Sequence, residues 1–298
     1  MSQTMEPRAR RLVIGIPMVW LGLLFLLPFL IVLKLSFSEM RLAVPPYAPF
    51  LEWAHGLPRP HLHWSNYAFL FTDPLYVSSY LYSLKVAAVS TLCCLGLGYP
   101  MAYAIARTRA PWRNVLLMLI VLPFWTSFLL RVYAWMGLLK HDGVINNLLL
   151  ALHLIRTPIT MLQTDFAVYI GIVYSYLPFM ILPLYANLEK HDQALLEAAA
   201  DLGARPATAF LRITLPHSVP GIIAGSLLVF IPAVGEYVIP SLLGRTDQLM
   251  IGRVLSDEFF ENRDWPVASS VAILMLLLLV VPIMAFQHFS GRELEGHR

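Results

Sequence analysis

Residues 189–217 read EKHDQALLEAAADLGARPATAFLRITLPH, a polar, helix-forming stretch set inside an apolar chain. Asp192 stands as a candidate N-cap, and the run from it to Leu202 is strongly helix-forming. Gly203 falls where such a helix ends in a left-handed turn. Pro206 suits the first turn of a second helix, which runs to about Ile213 before Pro216 stops it. Two short helices therefore meet at a glycine elbow. Their faces are mixed, with Leu195, Leu196, Ala199, Leu202 and Phe210 set among Glu197, Asp201, Arg205 and Arg212. Helices this short are not stable alone and must dock, either on a partner or, as amphipathic helices do, on lipid.

On both sides the elbow is bounded by runs that no soluble domain carries. The chain has 298 residues, 58% hydrophobic and 13% charged, with mean hydropathy +0.67. A soluble chain carries roughly 25% charged residues, so this one lacks the polar surface to stay in water. A bilayer core about 30 Å thick takes roughly 20 apolar residues as helix. Runs near 12–33, 81–105, 115–138, 165–188, 219–243 and 267–287 meet that length. The expected fold is all-α, one polytopic transmembrane domain over residues 1–298 with six transmembrane helices and the elbow helices at 189–217. Arg8, Arg10 and Arg11 precede the first run as in a secretory signal. That run is too long for a signal core, and Ser36-Phe37-Ser38-Glu39 offers no A-x-A site, so it is expected to remain as a span.

Lys and Arg near the span ends set the orientation. With the N-terminus inside, about 11 basic residues fall in the shorter inner segments, Arg107, Arg109 and Arg113 among them, against about 8 in the longer outer ones. Both termini are then cytoplasmic. The outer segments are 34–80, 139–164 and 245–266; Pro45, Pro46, Pro49, Pro58 and Pro60 make the first resistant to regular structure, and it is expected to cap the outer face. Net charge of +3 with scattered basic residues argues against a nucleic-acid partner. Adjacent Cys93 and Cys94 form no disulfide or redox framework, and His61-Leu62-His63 is an incomplete metal pattern. Gly221 and Gly225 form a GxxxG face for close helix packing. Prolines within the runs, Pro100, Pro123, Pro178, Pro183, Pro232 and Pro282, suit a kinked transport pathway, although proline is common in membrane helices generally.

Glu197-Ala198-Ala199, three residues, Gly203, nine residues, Ile213, one residue and Leu215-Pro216 together resemble the EAA loop of permease subunits of ATP-binding-cassette (ABC) importers. WTSFLLRVYAWMGLL (Trp125–Leu139), YIGIVYSYLPFMILPLY (Tyr169–Tyr185), FIPAVGEYVIPSLLG (Phe230–Gly244) and NRDWPVASSVAI in the last part are similar to the polyamine (putrescine/spermidine) branch of that family, most of all to its putrescine members. The resemblance implies a type I ABC importer permease fold in a bacterial inner membrane, with a second homologous permease subunit, two ATPase subunits and an extracytoplasmic polyamine-binding protein as partners. It implies that Glu197, Ala198, Ala199, Gly203, Ile213, Leu215 and Pro216 couple this chain to an ATPase subunit. ATP and Mg belong on that ATPase: no cofactor is expected here, no GxxxxGK[ST] occurs, and the chain is not expected to be an enzyme.

Polyamines carry separated ammonium groups, so their path should offer carboxylates and aromatic faces. Away from the ends of the runs the charged residues are Lys85, Arg131 and Glu236, and of these Glu236 has the right sign. Glu236 with Tyr237, Tyr174 and Tyr176 is the candidate substrate path; the alternative is that Glu236 pairs with Arg131 or Lys85 and only holds the bundle together. Arg131, beside Trp125, Tyr133 and Trp135, would repel a polyamine and is expected in a structural ion pair or snorkelling to the outer interface. Spermidine or another small cation is the alternative substrate, and an ion-coupled secondary transporter the alternative class, although no internal repeat supports it.

Overall fold

The computed structural model describes residues 7–48, 51–54, 57–60 and 62–295. Its helices in chain order are α1 (Pro7–Leu21), α2 (Leu27–Ser36), α3 (Ser65–Thr72), α4 (Pro74–Arg107), α5 (Ala110–Val121), α6 (Phe128–Leu139), α7 (Val144–Ala151) and α8 (Asp165–Leu188). There follow α9 (Ala194–Asp201), α10 (Pro206–Ala209), α11 (Leu215–His217), α12 (Val219–Val234), α13 (Val238–Leu243), α14 (Ile251–Phe260) and α15 (Trp265–Glu295). One antiparallel hairpin, β1 (Leu51–Ala54) and β2 (Leu57–Pro60), lies in the segment expected to resist regular structure. Pro58 and Pro60 are two apart and so can share the non-hydrogen-bonded positions of a two-stranded ladder, where a missing N–H costs nothing.

The chain forms two compact units, residues 1–77 with 255–298, and residues 78–254. In the first, α1 passes through a π-helical turn at Gly22–Leu26 into α2, and the side chains of this apolar rod face outward along most of its length, as a lipid-facing span requires. α15 packs along α2 and α3, with the Ser270 hydroxyl donating to the Ser36 carbonyl at 2.9 Å. The Asn66 amide donates to the carbonyls of Ser36 (3.0 Å) and Ser38 (2.8 Å), tying α3 to the end of α2. Asp264 caps α15, its carboxylate accepting from Val267 N–H at 3.0 Å. Burial pushes the Asp264 carboxyl above the usual carboxylate range, and the Val267 N–H only partly opposes this. The protonated form is thus favoured by folding, and that contribution holds below the ordinary carboxylate pKa and is lost as pH rises through the raised value. Asp264→Asn, which keeps the cap without the charge, is expected to melt no lower than the parent at pH 7, whereas Asp264→Ala loses about 1 kcal/mol; thermal melts of the three proteins check this.

In the second unit the core forms where α4, α8 and α12 cross. Met180 of α8 is fully buried there. A side chain at Gly98 of α4 would meet its Cγ at 3.0 Å, and one at Gly225 of α12 would meet its Sδ at 2.8 Å. Gly221 approaches Asn187 as closely, so the GxxxG pair does bring α12 against α8 almost to backbone contact. Cys94 is buried among these helices and Cys93 is exposed; both are free thiols.

Among the described residues, three of the six expected spans are single unbroken helices and two are bent or broken. Val13–Ser36, Pro74–Arg107 and Asp165–Leu188 are long and apolar enough to cross a bilayer unbroken. The expected span 115–138 is instead bent by 91° between Ala110–Trp125 and Phe128–Ala151. Pro123 lies in the tight turn Leu122–Trp125 at the break, where its missing N–H and fixed φ end the preceding helix. The expected span 219–243 stops at Val234, and α13 begins afresh at Val238. Gly235 closes the first segment, and Pro240 cannot give the N–H that would bond the Glu236 carbonyl in a continuous helix. Trp265–Val281 is a shorter apolar helix.

Candidate functional site

The elbow forms as its residues require. The Asp192 carboxylate accepts from Ala194 N–H at 2.9 Å at the start of α9. At its end Gly203 adopts φ +78°, with Gly203 N–H bonded to the Ala200 carbonyl at 2.8 Å and Ala204 N–H to that of Ala199 at 2.9 Å. This pair of bonds is the Schellman motif, and it turns the chain out of α9. The second helix extends beyond the expected end at Ile213: Pro206 opens α10, a π-helical turn spans Phe210–Thr214, and α11 carries on to His217 before a 61° bend into α12. The wider turn lets the rod accommodate Pro216, which lacks the N–H that an α-helix would need there.

One side of the elbow is anchored on the bundle, and much of α9 is exposed. The Phe210 ring stands edge-on to Tyr99 and Tyr103 of α4, with centroids 5.7 and 5.8 Å away. The Tyr99 hydroxyl reaches Ser218 Oγ at 2.9 Å. Tyr99 and Tyr103 were not among the candidates from sequence, yet their i, i+4 spacing puts both on one face of α4, which is the signal that could have found them. Ile213 and Leu215 are half-buried, and Pro216 is exposed. On α9, Glu197 and Ala198 are exposed and Ala199 is half-buried, while Leu202 beside Gly203 is 89% exposed.

Glu236 sits in the break between α12 and α13 and is 7% exposed. Its Oε1 accepts from the backbone N–H groups of Val238 (3.0 Å) and Ile239 (3.3 Å), and its Oε2 accepts from the Tyr176 hydroxyl of α8. A carboxylate on the first free N–H groups of α13 also meets the positive end of that helix. A side chain at Gly252 would collide with the Gly235 carbonyl, so α14 closes the other side of the break at backbone distance. Among the described residues no ion pair joins Glu236 to Arg131 or Lys85. Arg131 is held by rings instead, its guanidinium 5.3 Å from the Phe124 centroid and 5.6 Å from that of Phe128. This replaces the expected ion pair, because the turn at Pro123 brings Phe124 and Phe128 to the same side as Arg131.

Of the tyrosines named with Glu236, the structure brings only Tyr176 to its carboxylate. Tyr174 stands edge-on to Trp135 at 5.5 Å, and Tyr237 is 43% exposed. No group of His, Cys, Asp and Glu among the described residues could hold a metal ion. His61 lies outside the described residues.

The family model of the binding-protein-dependent transport system inner membrane component matches residues 94–295. The spermidine/putrescine transport system permease protein PotB of Haemophilus influenzae is 39% identical over 289 residues, covering 97% of this chain and 96% of that protein. Its counterpart of the same description in Escherichia coli is 40% identical over 271 residues, covering 91% and 94%. Among solved structures, a chain of a bacterial alginate ABC transporter, in complex with an alginate pentasaccharide-bound periplasmic protein, superposes with a TM-score of 0.71 at 17% identity, covering 95% of this chain and 96% of that one. The shared architecture, the EAA-type elbow and relatives matched along almost their whole length place this chain in the binding-protein-dependent transport system inner membrane component family, as an ABC importer permease subunit of the spermidine/putrescine type and not an enzyme.

Proposed function

We propose that the chain carries putrescine from an extracytoplasmic binding protein across the inner membrane by alternating access, together with a second permease subunit and two ATPase subunits. The observation that carries this reading is the elbow: α9 is capped rigidly at Gly203, joined to the bundle through Phe210, and exposed at Glu197, Ala198 and Leu202. Such a lever passes motion of a docked ATPase into α12. ATP binding closes the ATPases, the elbow helices follow, and the bundle turns outward to receive substrate; hydrolysis resets it. In this reading both termini are cytoplasmic, ATP and Mg stay on the ATPase, and Arg113 and Glu189, paired at 2.8 Å, brace the cytoplasmic ends of α5 and α8. Membership of the ABC permeases supports this reading over the ion-coupled alternative.

Glu236 and Tyr176 are the residues of this chain that meet the passing ammonium, with Tyr237 and Tyr174 flanking them. The preference for putrescine is tested by competition. Uptake of labelled putrescine by cells expressing the whole transporter is expected to be displaced more strongly by unlabelled putrescine than by equimolar spermidine. The reverse order assigns spermidine as the substrate, and a failure of the ATPase subunit to co-purify with the chain contradicts the coupling.

A further inference from the structure

Where the ends of α4 and α8 meet the elbow, a cavity of about 120 Å³ is lined by Arg107, Lys190, His191, Asp192, Thr214 and His217, closed by Leu195, Leu196 and Ile213. Four of these side chains are basic or can become so, against a single carboxylate. That carboxylate is already engaged, accepting the Ala194 N–H. Arg107 lies over the Tyr103 ring at 5.3 Å, and neither Arg107 nor Lys190 has an ion-pair partner among the described residues. The imidazoles of His191 and His217 stand edge-on with centroids 5.9 Å apart. His217 Nδ1 is 2.8 Å from the Ile213 carbonyl, whereas His191 Nε2 is buried and has no hydrogen-bond partner.

Basic residues at the ends of α4 and α8 compensate the helix dipoles, and this accounts for Arg107 and Lys190 separately. It does not account for a cavity between them, nor for a buried imidazole nitrogen left unmatched beside them, which costs free energy unless something fills it. We propose that this cavity is a binding site for a phosphate group, with the Arg107 guanidinium and the Lys190 ammonium balancing its charge and His191 Nε2–H and the Thr214 hydroxyl donating to its oxygens. The volume holds one tetrahedral oxyanion. Because its walls come from α4, from the residues after α8 and from both elbow helices, an anion bound there ties the elbow to the bundle. The site is separate from the Glu236 break and does not depend on which polyamine is carried.

The test uses the assembled transporter, purified in detergent and in nanodiscs. In detergent, inorganic phosphate is titrated against chloride at constant ionic strength, and the melting temperature of the complex is read. A ligand bound only by the folded state raises that temperature with concentration; the expected rise is about 2 °C or more at saturation, and it is lost in Arg107→Gln and in His191→Ala. Lys190→Gln, at an exposed position that leaves folding intact, is expected to reduce the rise by about half. In nanodiscs of phosphatidylglycerol the added phosphate is expected to have no further effect if a lipid headgroup fills the site, and its full effect if free phosphate does; both results support the proposal. Melting temperatures that follow only ionic strength in every lipid and detergent, or a phosphate response unchanged in all three variants, overturn it and leave the basic residues as dipole compensation.

Discussion

Gly203→Val is expected to abolish most polyamine uptake while leaving the amount of chain in the membrane close to the parent's. The glycine holds φ +78°, and a Cβ placed there meets nothing within 4 Å, so the substitution acts through backbone conformation and not through collision. A left-handed conformation costs an L-residue roughly 1–2 kcal/mol, and more when the side chain is β-branched. That strain moves the elbow out of its docking geometry by a factor on the order of 10. The bundle does not share the strain, because the anchor at Phe210, Tyr99 and Tyr103 lies beyond the turn. Asn tolerates this region best among the other residues, so uptake is expected to fall in the order Gly, Asn, Ala, Val. Uptake rate normalised to membrane-inserted protein is the measurement. Equal rates in all four would remove the elbow from the coupling path.

Substitution of Glu236 gives the second large effect, and its two variants separate structure from transport. Glu236→Leu leaves the Tyr176 hydroxyl and two backbone N–H groups without their acceptor in a buried break, at about 1–3 kcal/mol for each group. Loss of assembled permease is the expected outcome, seen as reduced recovery in detergent. Glu236→Gln keeps an acceptor and the shape but removes the charge, so assembly is largely retained. If the carboxylate meets the passing ammonium, Glu236→Gln assembles and transports at no more than about a tenth of the parental rate, as expected for losing a charge-assisted contact. Unchanged uptake at normal assembly would confine Glu236 to capping α13.

The elbow was legible in the sequence because it breaks the hydropathy and carries local signals whose geometry is obligatory. Pro206 has to open a helix, and a glycine after a helix-forming run tends to close one. The bend at Leu122–Trp125 was not, since hydropathy reports the solvent around a segment and not its direction; residues 115–138 are apolar through the turn. The break at Gly235–Tyr237 is similar: Gly235 and Pro240 were visible, but both also occur within intact membrane helices. Glu236 could be chosen by sign and burial, whereas its hydrogen bond to Tyr176 joins residues 60 apart in sequence and exists only because α12 crosses α8 at the glycines. Arg131 shows the same limit. A buried cation calls for compensation, and local sequence could not tell that the turn at Pro123 would supply ring faces in place of a carboxylate.

On the proposed mechanism, polyamine moves through this permease by means of a partner's ATP hydrolysis transmitted through the elbow. Proteoliposomes holding the complete transporter, with the binding protein outside and labelled putrescine as substrate, test it most directly. Uptake is expected to require ATP on the ATPase side, to stop when ATP is replaced by a non-hydrolysable analogue, and to be lost with Gly203→Val while ATP hydrolysis by the ATPase subunits persists. Uptake by this chain alone, driven by an ion gradient in the absence of ATP, would contradict it.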